Sequence, residues 1–263
     1  MATNPTIAAL RDHIGQQEHT GHNWPSVSLG VLGGDRLLPQ GELKTGSLYE
    51  IVPETYADFP AALGFGFGVL SRISRERSGY ILWVQPNYRT FGESRLFPPG
   101  LSSFGIDPNR IIHVNVPKPQ NVLWALDEAL ANTSVVAAIG MIPEDDRTYD
   151  FTASRRLSMR AARHGATALI FPRGPDFAMT SAAEMRWSVA AGSSVTAHYK
   201  GQSMPGMGGP RWQIRIAKSR RGNAGHWCVE WNHEKLSFRL AAPLADRAPL
   251  RIAGIETGQL ATA

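Results

Sequence analysis

Apolar residues recur along this chain with two different periods, and the change between them divides it into parts. Leu48–Val52, Tyr80–Val84, Arg110–Val114, Val135–Ile139 and Ala166–Phe171 are short apolar runs. Strands covered on both faces have this signature. Between them lie stretches with helical spacing: Ala61–Ser74, Asn121–Ala131 with Val122, Leu123, Leu126 and Leu130 on one face, and Phe151–His164. A shorter helical pattern (Ile7, Leu10, Ile14) is predicted over 5–17, followed by a polar stretch to Pro25. Gly64, Gly66 and Gly68 weaken the first long helix by up to ~1 kcal/mol each relative to alanine. Gly64 and Gly68, one turn apart, suit close packing of that helix on a sheet.

The last third changes period. Trp187–Val189, Trp212–Ala217, Trp227–Trp231 and Leu236–Leu240 alternate or are β-rich, with polar turns at Ser219–Gly225 and Asn232–Lys235. Hairpins at a sheet edge are the expectation. The fold class that follows is α/β: a mainly parallel sheet flanked by helices, with an antiparallel C-terminal edge. Residues 1–27 are read as a helix and linker, 28–240 as the domain, and 241–263 as a flexible tail.

Composition narrows this only slightly. The 263 residues are ample for a hydrophobic core. A charged fraction of 19% against 43% hydrophobic excludes a disordered chain. No apolar run reaches 18 residues, and the N-terminus has no basic segment followed by an apolar one. Neither a membrane span nor a secretory leader is therefore expected, and the location expected is cytoplasmic, beside the nucleoid. One cysteine, Cys228, rules out a disulfide framework and a cysteine zinc cluster. Its place in an alternating strand predicts a small buried residue, and the eight histidines form no metal pattern. No metal and no cofactor is expected.

The segment after the first core strand is where a nucleotide-binding α/β protein would hold phosphate. Here it runs from Glu54 to Ala61 without a glycine, carries Glu54 and Asp58, and ends in Phe59-Pro60. A phosphate loop needs glycines, a lysine and a hydroxyl. Neither a Gly-x-Ser-x-Gly elbow nor a dinucleotide glycine pattern occurs elsewhere.

Several joints, taken in order, resemble the RecA-like recombinase fold and, more specifically, the ImuA family of damage-inducible mutagenesis accessory proteins. They are Leu32–Gly46 (Leu-Gly-Gly-Asp-Arg-Leu-Leu-Pro-Gln-Gly-Glu-Leu-Lys-Thr-Gly), Glu50-Ile51, Phe104–Arg110, Arg155–Leu157, Gly165–Leu169, Arg220–Gly222 and Trp227–Trp231. The likeness covers about residues 28–240. It sets Phe59 and Pro60 at the Walker lysine and threonine, Gly140 near the magnesium-organising acid, and Gln85-Pro86-Asn87 near the catalytic glutamate. Phosphoryl transfer depends on these groups together, so the resemblance implies a degenerate, non-hydrolytic domain.

The role it implies is SOS-induced error-prone translesion DNA synthesis. The partners implied are an ImuB-type Y-family polymerase homologue, an error-prone C-family DnaE-type polymerase and RecA. Direct single-stranded DNA binding in repair is the alternative, and a SulA-like cell-division inhibitor ranks below it.

Charge supplies the candidate surfaces. The net charge is +5, and all but five of the 27 basic residues are arginine. Between Glu184 and Glu230 lie 45 residues without one acid, and they hold Arg186, Lys200, Arg211, Arg215, Lys218, Arg220 and Arg221 with Trp187, Trp212 and Trp227. Arginine interleaved with aromatics suits a sugar-phosphate track or an acidic partner. The competing reading makes Trp212, Trp227 and Trp231 core residues. A second basic feature is the stripe Arg155, Arg156, Arg160 and Arg163 on the helix 151–164. The partner- or DNA-binding candidates are therefore Arg211, Arg215, Lys218, Arg220, Arg221, Arg155 and Arg156. Helix 5–17 and the tail are further contact candidates. The loops after the fourth and fifth core strands, Pro143–Arg147 and Arg173–Thr180, are acidic or poor in bases and favour no DNA track.

Overall fold

The computed structural model describes residues 24–31, 42–87, 96–143, 146–175, 177, 179–194, 198–199, 202–203, 208–220 and 225–241. The expected helix 5–17, the tail beyond 241, Lys200 and Arg221 lie outside them. Nine strands form one sheet: β1 (Leu48–Pro53), β2 (Tyr80–Pro86), β3 (Ile111–Val116), β4 (Val135–Ile142), β5 (Thr167–Pro172), β6 (Met185–Gly192), β7 (Arg211–Ser219), β8 (His226–Asn232) and β9 (Ser237–Leu240). Their order is β9-β8-β7-β6-β1-β5-β4-β2-β3. From β6 to β3 every pairing is parallel, and β7, β8 and β9 add antiparallel. The expected fold class therefore holds, with one change at the junction. Trp187–Val189 belongs to the last parallel strand, because Ile51 registers with Trp187 on the parallel side and Ile216 on the antiparallel side.

Among the described residues four α-helices accompany the sheet: α1 (Phe59–Glu76), α2 (Pro98–Ser103), α3 (Gln120–Ala131) and α4 (Phe151–His164). Strand alternation sends Tyr49, Ile51, Leu169 and Phe171 toward α1, and Leu48, Ala168 and Ile170 toward α3 and α4. The α1 side is mostly aromatic. Phe65 meets Trp187, Trp212 and Phe238 at ring separations of 5.5, 6.2 and 5.3 Å. Trp187, Trp212 and Trp231 are buried, and Trp227 packs against the same core.

The glycines of α1 now have a reason. A methyl on Gly64 would touch the Trp212 ring, one on Gly66 would collide with Phe171, and one on Gly68 with Phe238. The helix gives up propensity so that three rings can lie against its backbone.

The Asp-Pro-x-Arg joint before β3 closes the other end of α1. Asp107 accepts a hydrogen bond from the Asn109 amide at 2.9 Å, fixing a short turn. That turn aims Arg110 at three carbonyls, those of Gly79 (2.7 Å), Ser74 (2.9 Å) and Arg77 (2.9 Å). A guanidinium here satisfies acceptors that a helix C-terminus leaves without intrahelical partners. Nearby, α4 ends at Gly165 with φ +83°, a left-handed residue against whose backbone the Trp24 ring lies. Trp24 donates its indole N–H to Ala162 at 2.7 Å, and Arg77 stands 5.3 Å over its ring.

Candidate functional site

Ligands of open α/β sheets sit outside the carboxyl ends of the strands. In this sheet that place lies beyond β1 and β5, where the segments that follow the two strands carry Asp58, Phe59 and Arg173. After Pro53 the Glu54 amide donates to Val189 of β6 at 2.9 Å. A single turn, Tyr56–Asp58, then leads into α1, with Pro60 in the helix's first turn. One oxygen of Asp58 accepts from the Thr55 amide and hydroxyl at 3.1 and 2.6 Å. The other accepts from the Ala191 amide at 2.8 Å. Partial burial raises the Asp58 pKa, but these donors outweigh it and hold the carboxyl below its ordinary value. A carboxylate thus stands at the approach to the helix N-terminus and ties the loop to β6. Phe59 lies under the Arg173 guanidinium, 5.6 Å from ring to cation.

The strand expected to end near Gly140 runs two residues further. Gly140 pairs between Val84 and Ile170 and faces Leu126, so it is an interior packing position. The carboxyl end of β4 is Ile142-Pro143. Gln85 is buried and accepts from the Trp83 indole at 3.2 Å, while the Asn87 amide donates to Val116.

The loop after β5 is held from beneath by a buried charge network. Glu50, fully buried in β1, accepts from the Tyr149 hydroxyl at 2.7 Å and from Arg186 at 2.6 Å. Arg186 also donates to the Phe177 and Met179 carbonyls at 2.9 and 2.7 Å and to the Ser181 hydroxyl at 3.2 Å. Lys218 donates to the Ser181 carbonyl. Burial, then the Glu50 charge, push the Tyr149 hydroxyl well above its ordinary pKa. Burial also lowers Lys218, although Glu50 opposes that shift. Arg186 is therefore an interior residue of the acid-free stretch and belongs to no surface track. Its partner lies 136 residues away and follows from strand register, since Glu50 pairs with Arg186.

The remaining basic candidates separate into groups. On β7, Trp212, Ile214 and Ile216 face α1, and Arg211, Gln213 and Arg215 face the opposite side. Arg211 pairs with Glu230 of β8 at 2.6 Å, and Glu230 also accepts from Arg239 of β9, an ion ladder across three strands. Burial raises Glu230, but the hydrogen bonds from Arg239 and Arg211 hold it below its ordinary value. Arg215 is exposed. Arg220 is exposed too, at the end of β7, with its backbone amide on the Glu184 carbonyl. The structure thus leaves Arg215 and Arg220 outward and ties Arg211 and Lys218 to acceptors of the fold.

Cys228 lies on the same side of β8 and is half-buried, which corrects the expectation of a buried residue. Even alternation put it on the face away from α1, where less covers it. Burial still pushes its thiol up, disfavouring a thiolate.

On α4, Arg155 and Arg156 are exposed. Arg156 and Arg160 both approach Asp127 of α3, at 3.5 and 3.4 Å. Sequence reasoning passed over two neighbours of this stripe, Trp124 on α3 and Met159 on α4, both largely exposed. The signal was available for Trp124, which falls off the apolar face set by Val122, Leu123, Leu126 and Leu130. Among the described residues no cluster of three potential metal ligands occurs, and no helix is long and apolar enough to cross a membrane.

No protein-family model matches the chain. It is similar to the curated Protein ImuA of Caulobacter vibrioides in two strains, 26% identical over 249 residues in each case, covering 89% of this chain and 95% of the relative. The likeness runs nearly the whole length of both chains and agrees with placing this one in the ImuA family.

Proposed function

We propose that the protein is a non-catalytic accessory factor of damage-induced, error-prone DNA synthesis, working through contacts with other proteins. In this reading it is a RecA-like domain without nucleotide chemistry. Its partners are an ImuB-type polymerase homologue, a DnaE-type error-prone polymerase and RecA, and its place of action is the nucleoid. The observation that carries the non-catalytic half is Asp58. A carboxylate bonded to Thr55 and to the Ala191 amide occupies the approach to the α1 N-terminus, where a triphosphate would need donors and cations. The chain-long similarity to Protein ImuA supports the mutagenesis half.

The test has two arms. The purified chain with Mg²⁺, ATP and single-stranded DNA is expected to show no turnover above a blank; hydrolysis that co-purifies with the protein overturns the non-catalytic reading. Tagged protein is expected to retain the ImuB-type and DnaE-type partners, and Arg215→Glu with Arg220→Glu to lower damage-induced mutation frequency several-fold. Empty pull-downs together with an unchanged frequency reject the accessory role. Steeply salt-dependent binding to a single-stranded 30-mer, lost in the same variant, selects the DNA-binding alternative.

A further inference from the structure

We propose that the outer face of α3 and α4 is a docking surface for an acidic segment of a partner protein that carries an aromatic or aliphatic anchor. The inference rests on the protein-contact reading above and assigns it a place and a chemistry. Two large apolar side chains mark the face: Trp124 is 65% exposed and Met159 63% exposed. Neither is needed to close the core, since α3 buries Val122, Leu126 and Leu130 and α4 buries Leu157 and Ala161. Tryptophan, methionine and arginine are the residue types that interface centres favour.

Charge identifies the occupant. Helix α4 holds four arginines and no acid over Phe151–His164. Met159 stands one helical turn from Arg155, Arg156 and Arg163, and Trp124 one turn from Asp127. Arg156 and Arg160 both reach toward Asp127, so the arginine stripe is joined to the tryptophan's helix. With Asp127 shared between two arginines and Glu128 exposed one turn from Trp124, four arginines against two acids leave the face positive. Guanidinium groups in a row offer planar, paired donors that match carboxylates.

The chain's own terminal segments outside the described residues do not fit. Residues 1–23 carry Arg11, Asp12 and Glu18, and residues 242–263 two acids against two arginines. An excess of one carboxylate in the first segment and none in the second does not match a row of four arginines, so the matching ligand is assigned to another protein.

The test pans a random 12-residue display library on the full-length protein and titrates the synthetic consensus peptide by fluorescence anisotropy. The expected consensus places Asp or Glu around Trp, Phe or Leu. Trp124→Ala and, separately, Arg155→Glu with Arg156→Glu are expected to weaken that peptide at least about tenfold, at an unchanged thermal midpoint. Replacing its acids by amides should have the same effect. Four results overturn the proposal: no acidic–apolar consensus, a consensus whose binding survives both variants, self-association of the chain lost in both variants, or a dT 30-mer as the ligand lost in the arginine variant. If any of these occurs while wild-type protein still retains its polymerase partners, the docking face is wrong and the accessory role stands. If the peptide binds as expected but those partners are not retained, the accessory role falls alone.

Discussion

Arg186 turns its guanidinium inward, onto one carboxylate, two carbonyls and a hydroxyl. Removing one member of a buried pair leaves the other charge without compensation, at a cost of about 3–5 kcal/mol. Arg186→Met should accordingly lower stability by that amount in urea unfolding, whereas Arg215→Met, on the exposed side of β7, should change it by under about 0.5 kcal/mol. Equal losses would show that Glu50 does not depend on Arg186. Tyr149, buried on the same carboxylate, should ionise only as the protein unfolds in alkali, so its absorbance step at 295 nm should coincide with loss of helix signal. In the sequence Arg186 looked like one base among seven, because nothing local ties it to Glu50. Arg110 was visible as part of a recurring joint, but its work, holding three carbonyls at the end of α1, needed three-dimensional placement. Such pairings follow from register, which composition and spacing do not encode.

Among the elements, α1 sets two effects against each other. Intrinsic propensity says that Gly68→Ala stabilises a helix by ~1 kcal/mol. Packing says the reverse, because the new methyl would meet the Phe238 ring, and overfilling a core costs about 1–3 kcal/mol. The structure decides for packing: Gly66→Ala and Gly68→Ala should each lower the thermal midpoint, with Phe238→Leu partly rescuing Gly68→Ala. A raised midpoint in the single variant would show that the helix simply rides outward. Periodicity placed α4 to the residue and α1 and α3 within two residues at each end, because their apolar faces are continuous. It stopped β4 short at Gly140, since glycine reads as a break when the ring or side chain filling its space is not known. Trp187 was placed with the antiparallel hairpins because alternation reports burial and not strand direction.

For the molecule as a whole, the modest +5 conceals an arrangement in which acids have structural posts. Asp58 joins the α1 approach to β6, and Glu230 joins β7 to β9. Both have folded pKa values below their ordinary ones. Their stabilising contribution is present above the unfolded values, about 3.9 and 4.3, and is lost as pH falls through the folded ones. The urea midpoint should thus hold between pH 7 and 5 and drop below about pH 4, and Glu230→Gln should lose part of that acid sensitivity. A midpoint insensitive to acid would mean that these carboxylates are no better placed in the folded chain than in the unfolded one.

The central position of β1 also sets a timetable for synthesis. Leu48 pairs with Ala168, and Tyr49 with Met185, so the strand at the middle of the sheet is made more than a hundred residues before either neighbour. At roughly 5–20 residues per second, a nascent chain carries that apolar strand without its partners for about 6–24 s. The first strand of the sheet to be translated is among the last to be enclosed, and a ribosome that stalls before β5 leaves it without either neighbour.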